Sequence, residues 1–115
     1  MIVMPALVAG IHVFGAASTM QGGWVYIMTN RLNGTLYVGV TSDLARRASE
    51  HRDGLVDGFT KRYGLKQLVY WERHEDIRDA IQREKSIKRW PRAYKVRLIH
   101  RINPDWNDLF DQLLA

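Results

Sequence analysis

The sequence predicts a small α/β protein of the α+β type, with its elements in the order ββαβαα. Three observations carry that expectation: two alternating runs around Asn33-Gly34, a third apolar run centred on Leu68 to Trp71, and helical stripes in the intervening and following segments.

The first two strands lie between Trp24 and Val40. Val25-Tyr26-Ile27 and Leu36-Tyr37-Val38 alternate apolar and aromatic positions, and Asn33-Gly34 signals a turn because both residues tolerate positive φ. Period-2 alternation puts Val25, Ile27, Leu36, Val38 and Val40 on one face, expected to be core, and Trp24, Tyr26, Met28, Tyr37 and Gly39 on the other. The second face sets two phenols beside a glycine, which leaves room for a ligand near the backbone. A cross-strand aromatic pair that only stabilises the sheet fits the same residues.

Thr41-Ser42-Asp43 offers N-cap residues for a helix from Leu44 to about Arg52. Leu44, Arg47, Ala48 and His51 share one stripe of it, so Arg47 and His51 are expected to turn inward. Gly54 to Gly64 reads as a loop, and its Phe59-Thr60-Lys61-Arg62-Tyr63 patch suits phosphate contact and base stacking, or simply a solvated surface. The third strand, Lys66 to Arg73, is apolar nearly throughout and is expected to be covered on both faces. In the helix from Asp76 to Trp90, Glu84 falls inside the apolar stripe of Ile77, Ala80, Ile81 and Ile87. A buried carboxylate is costly, so Glu84 calls for a salt-bridge partner or a bound cation. Pro91 opens the last helix, which runs to Ile102 with Tyr94, Leu98, Ile99 and Ile102 as its apolar side. Trp106 to Ala115 reads as a short amphipathic tail.

A chain of 115 residues suits one domain with a modest core. Its 17 basic and 12 acidic residues give a net charge of +5, all of it after Gly23, a balance that favours nucleic acid or another anionic partner. The absence of cysteine excludes disulfides, thiolate catalysis and Cys-ligated zinc, and agrees with a cytoplasmic location. Residues 1–22 form an uncharged apolar leader, expected to be disordered or a start-site artefact with translation beginning at Met20. The leader lacks the basic end of a signal peptide and is short of the roughly 20 apolar residues of a membrane span, so no membrane association is expected. The expected organisation is this leader, a domain over residues 23–106 and a tail over 107–115. There is no Walker loop, dinucleotide fingerprint or nucleophile elbow, and the histidines are too scattered for a zinc motif.

Taken together, Trp24-Val25-Tyr26, Tyr37-Val38-Gly39, Arg47, His51 and a helical Glu84 resemble the motif set of the GIY-YIG nuclease family. The likeness runs from about Gly23 to Trp106. Its Arg83-Glu84-Lys85 and Asn103-Pro104-Asp105-Trp106 segments look like those of small stand-alone bacterial members. The resemblance implies a three-stranded antiparallel sheet flanked by helices, and hydrolysis of a DNA phosphodiester with one divalent cation, Mg²⁺ or Mn²⁺. It implies Tyr26 and Tyr37 at the scissile phosphate, Arg47 beside it, His51 where relatives carry tyrosine or histidine, and Glu84 on the metal. Of the two candidate bases, it favours Tyr26 with His51 assisting through a hydrogen bond. Two departures, the missing leading glycine and Val40 where some repair-type relatives have lysine, bear on rate and substrate. Gly39, Lys61, Arg62 and Lys95 are the candidate nucleic-acid contacts. The expected function is a metal-dependent DNA endonuclease in repair or recombination, acting on branched, damaged or single-stranded DNA. The alternative is a nucleic-acid-binding module with this fold and little or no cleavage.

Overall fold

The computed structural model describes residues 22–113, which form β1 (Gly23–Thr29), β2 (Leu36–Thr41), α1 (Leu44–Arg52), α2 (Phe59–Tyr63), β3 (Gln67–His74), α3 (Ile77–Arg89), α4 (Arg92–Ile102) and α5 (Phe110–Leu113). The expected leader and the Met20 start lie outside these residues. The strands make an antiparallel sheet of order β2-β1-β3, so β1 is paired on both sides. Two short helices, α2 and α5, are additional to the order ββαβαα.

The β1–β2 turn forms where Asn33-Gly34 predicts it, but the two residues act differently. Asn33 alone takes positive φ, at 57°. Gly34 is there for space: its N–H donates to Arg31 O at 2.8 Å, and any Cβ would run into Asn30 Oδ1. Asp43 then caps α1 by accepting from Arg46 N at 3.2 Å, and Asp76 caps α3 by accepting from Arg78 N at 2.9 Å.

Each face of the sheet carries its own core. Val25, Ile27, Val38 and Val40 pack against Ile77, Ala80 and Ile87 of α3 and Leu98 and Ile99 of α4. On the opposite face Tyr26 and Met28 pack against Leu44 and Ala48 of α1, together with Leu65, Leu68, Leu109 and Phe110. The second face is therefore closed over at Tyr26 and Met28, which are 1% and 0% exposed, and reaches solvent at half-buried Tyr37. A bulge between Ile27 and Met28 in the β1–β3 pairing turns consecutive Val69 and Tyr70 to the same core. Only Leu98 and Ile99 of the expected α4 stripe are buried; Tyr94 and Ile102 are 50% and 58% exposed.

The chain beyond α4 is tied back to β3. Asn103 Nδ2 donates to Val69 O at 3.0 Å and to Asn107 O at 2.8 Å, and Leu109 N donates to Leu68 O at 2.7 Å. Leu68 N in turn donates to Asp108 Oδ1 at 3.1 Å. Trp106, held between these bonds at φ 58° and buried, adopts a left-handed conformation that side chains other than glycine's normally avoid.

Candidate active site

The pairing register places the tyrosines. Tyr26 lies opposite Gly39 and Tyr37 opposite Met28, so the two phenols are diagonal neighbours on one face rather than directly opposed. The Tyr26 ring covers the glycine: a Cβ on Gly39 would fall 2.5 Å from Tyr26 Cζ and Oη. The space that the sequence offered to a ligand is filled from within, and buried Gly39 serves to seat the ring.

α1 brings its stripe against these rings. Leu44, Ala48 and His51 are buried, and Arg47 rides at the edge of the stripe, half-buried. Tyr26, Tyr37 and His51 form a near-regular triangle, with ring centroids 6.3, 5.5 and 5.6 Å apart. Tyr26 Oη is 2.9 Å from His51 Nε2, and His51 Nδ1 is 3.2 Å from Thr60 Oγ1. Burial and then the Arg47 charge push the His51 pKa down to about 4, so the ring is neutral at pH 7. The Tyr26 pKa is raised, first by burial and then by Tyr37, against the pull of Arg47. A guanidinium only donates, so Arg47 beside the phenol favours an O–H turned away from it, towards His51 Nε2. Nδ1 then carries the single ring proton and donates to Thr60. Arg47 Nη1 donates to Glu50 Oε1 at 2.8 Å, while its buried Nε has no hydrogen-bond partner among the described residues.

Thr60 is the residue that sequence reasoning missed, because α2 reads as loop. Its signal lies in the framing glycines: Gly64, at φ 66°, is a left-handed C-cap, and Leu65 N donates to Thr60 O at 2.9 Å in the manner of a terminating helical turn.

α3 supplies Glu84 from the other side. Its side chain is 5% exposed, and Lys88 Nζ approaches Oε2 at 2.7 Å. The approach lies outside hydrogen-bonding geometry, so Oε2 has no donor among the described residues. Lys88 Nζ also stands 5.9 Å from the centre of the Tyr37 ring, which ties this carboxylate to the triangle. The half-buried Tyr37 has its pKa raised by burial, opposed by Arg47 and reinforced by Glu84. Among the described residues no group of three or more His, Cys, Asp or Glu side chains converges on one point. A cation here would rest on Glu84 alone among the carboxylates, with water and phosphate oxygens completing its shell, a set that Mg²⁺ tolerates. Lys61 and Arg62 are exposed on α2, beside His51 through Thr60. Lys95 lies on the Glu84 side, donating from Nζ to Lys88 O at 3.2 Å.

A three-stranded α+β fold with a Tyr-Tyr-His triangle, an arginine at its border and a carboxylate from a sheet-packed helix has the motif residues and the sheet expected of a GIY-YIG domain, a domain characteristic of endonucleases. The family described as the GIY-YIG catalytic domain matches residues 22–97. The chain belongs to the GIY-YIG family. Within it the chain is similar to a UPF0213 protein of Staphylococcus saprophyticus, 34% identical over 80 residues that span 70% of this chain and 96% of the relative. It is likewise similar to UPF0213 proteins of Staphylococcus aureus strains Mu3 and Mu50, each 36% identical over the same shares. No solved structure matches the chain. Among the described residues no helix is long and apolar enough to cross a membrane.

Proposed function

We propose that the chain is a metal-dependent endonuclease that hydrolyses DNA phosphodiester bonds in the cytoplasm, in repair or recombination. The observation that carries this reading is the convergence of Tyr26, Tyr37 and His51, with rings 5.5 to 6.3 Å apart, on a border formed by Arg47 and Glu84. Neutral His51 accepts the Tyr26 phenol proton at Nε2, and Tyr26 Oη accepts a proton from the attacking water as its own leaves. Nδ1–H, held on Thr60, keeps the accepting lone pair of Nε2 aimed at the phenol. Arg47 supplies a permanent charge and guanidinium donors for the non-bridging oxygens, where negative charge gathers in the transition state. Tyr37 offers a second hydroxyl at the same phosphate. A Mg²⁺ or Mn²⁺ ion on Glu84 would supply further positive charge to the phosphate.

The test is cleavage of a panel of supercoiled, linear, single-stranded and branched DNAs, with Mg²⁺ or with chelator, by the chain and by Glu84→Ala. Cutting is expected only with metal and with Glu84 intact. Tyr26→Phe is expected to lose about 10²- to 10⁴-fold in rate. Unchanged cutting by Tyr26→Phe would overturn its role as base. The Lys88–Glu84 ion pair favours a second reading, a nucleic-acid-binding module in which that lysine occupies the place of the cation. Binding without cutting, unaffected by Glu84→Ala, would select it.

A further inference from the structure

α2 has two faces with different work. Inward, Thr60 is 4% exposed and bonded to His51; outward, Phe59 and Tyr63 are 46% and 50% exposed. The two exposed rings lie against each other, centroids 4.8 Å apart and tilted by 49°, with the Arg62 guanidinium 5.7 Å from the centre of Tyr63. Neither ring belongs to either core, so burial on folding does not account for them. Among the described residues Lys61, 58% exposed, has only a loose contact of 3.7 Å with Asp57, itself 94% exposed, which leaves its charge available to a phosphate.

We infer that the outward face of α2 is a stacking platform for unpaired nucleobases, with Arg62 and Lys61 holding the flanking phosphates. This deepens the endonuclease reading by naming its substrate class: DNA with bases out of the helix, as in single strands, flaps or frayed ends. In an intact duplex the base faces are already stacked, and only edges and phosphates are accessible. An aromatic platform adds affinity only where a base has left the stack. The rings do not form a slot, since a base between them would need about 7 Å, twice the ~3.4 Å base rise. A base therefore lies on the outer surface of the pair. The next residue, Thr60, bonds His51, so the same short helix that carries the platform also braces the tyrosine triangle.

The experiment is fluorescence anisotropy in chelator, using one labelled oligonucleotide as a single strand, annealed to its complement, and as an abasic strand that keeps the phosphates. The full chain is compared with Phe59→Ala/Tyr63→Ala and with the swapped pair Phe59→Tyr/Tyr63→Phe, after circular dichroism shows equal melting. The double alanine variant is expected to bind the single strand at least about 10-fold more weakly and the duplex within about 2-fold, while the swapped pair binds as the parent does. The parent should lose a similar factor on the abasic strand. Equal losses on single strand and duplex, or no loss at all, would overturn the platform. So would binding that ignores the pair while the parent alone self-associates in sedimentation, which assigns the face to a second copy of the chain. Single-strand binding through the pair without any cutting, in a separate Mg²⁺ arm, sinks the endonuclease reading and leaves the platform standing. Cutting of duplex and single strand alike, unchanged in the double variant, does the reverse.

Discussion

Glu72 on β3 and Glu84 on α3 are both withdrawn from water, yet their surroundings are opposite. Glu72 accepts from Tyr70 Oη at 2.5 Å, His74 Nε2 at 2.7 Å, and Arg83 Nε and Nη2 at 2.9 and 3.2 Å. Burial alone would push its pKa up, but the hydrogen bonds from Arg83, Tyr70 and His74 more than reverse this and hold it below the ordinary carboxylate range. Glu84, the residue after Arg83, has among the described residues one ammonium contact and no hydrogen bond to Oε2, although it is the more buried of the two. A carboxylate with its lone pairs filled is an anchor; one left with an unfilled oxygen keeps its charge for something that arrives. The bidentate Arg83–Glu72 pair fixes the roll of α3 on the sheet, and that roll presents Glu84.

Substitution at each carboxylate separates anchor from site. Glu84→Gln is expected to cost metal-dependent cleavage about 10³-fold or more, with a melting temperature unchanged or raised, because it removes a poorly compensated buried charge. A variant that melts much lower would make Glu84 another anchor and erase the contrast. Glu72→Gln should do the converse: about 2 kcal/mol of stability lost in denaturant melts, with cleavage at low temperature within a few-fold of the parent. The sign of its pH dependence follows from the lowered pKa. The Glu72 contribution is complete above the unfolded value, about 4.3, and is lost as pH falls through the folded one, so the variant should show a flatter acid limb.

Smaller changes sharpen the same comparison. Thr60→Val is expected to lower kcat about 10-fold at unchanged KM, with Thr60→Ser restoring it, because the hydroxyl sets which nitrogen of His51 is free. ¹⁵N shifts of the ring should show Nδ1 protonated in the parent and not uniquely so in the valine variant. The smallest effect is expected at Lys88→Met. Removal of the competing ammonium should lower the Mg²⁺ concentration needed for half-maximal cutting by a few-fold, and should lower the melting temperature in chelator, where buried Glu84 loses its counter-ion. A rise in the Mg²⁺ requirement instead would mean that Lys88 helps to hold the substrate.

Much of this was legible in the chain because two periods are fixed by backbone geometry. The pleat dictates that Val25 and Ile27 oppose Tyr26 and Met28, and the α-helical repeat dictates that His51 joins Leu44 and Ala48. Other features have no local period to display. A five-residue helix such as α2 is too short for one, and the bond from Thr60 to His51 joins segments that only the fold brings together. The apolar run of β3 carries no phase, so nothing in Leu68 to Trp71 marks where the bulge turns Val69 and Tyr70 the same way. The inward position of Glu84 follows from its stripe. Its ion-pair partner is legible as well, in the i, i+4 spacing to Lys88.

The tail along β3 has a consequence for the behaviour of shortened chains. Leu68 gives both its backbone groups to residues 108 and 109, away from β1, so the outermost strand is already occupied there. A chain cut after Asn107 would retain Tyr26, Tyr37, Arg47, His51 and Glu84, and would lose the floor of Leu109 and Phe110 beneath Tyr26. The vacated hydrogen-bonding groups would then template strand addition from another copy, and aggregation in size-exclusion chromatography should appear before any loss of secondary structure. The last few residues thus act as a gatekeeper against self-assembly, a duty of solubility carried by a segment remote in sequence from the strand it guards.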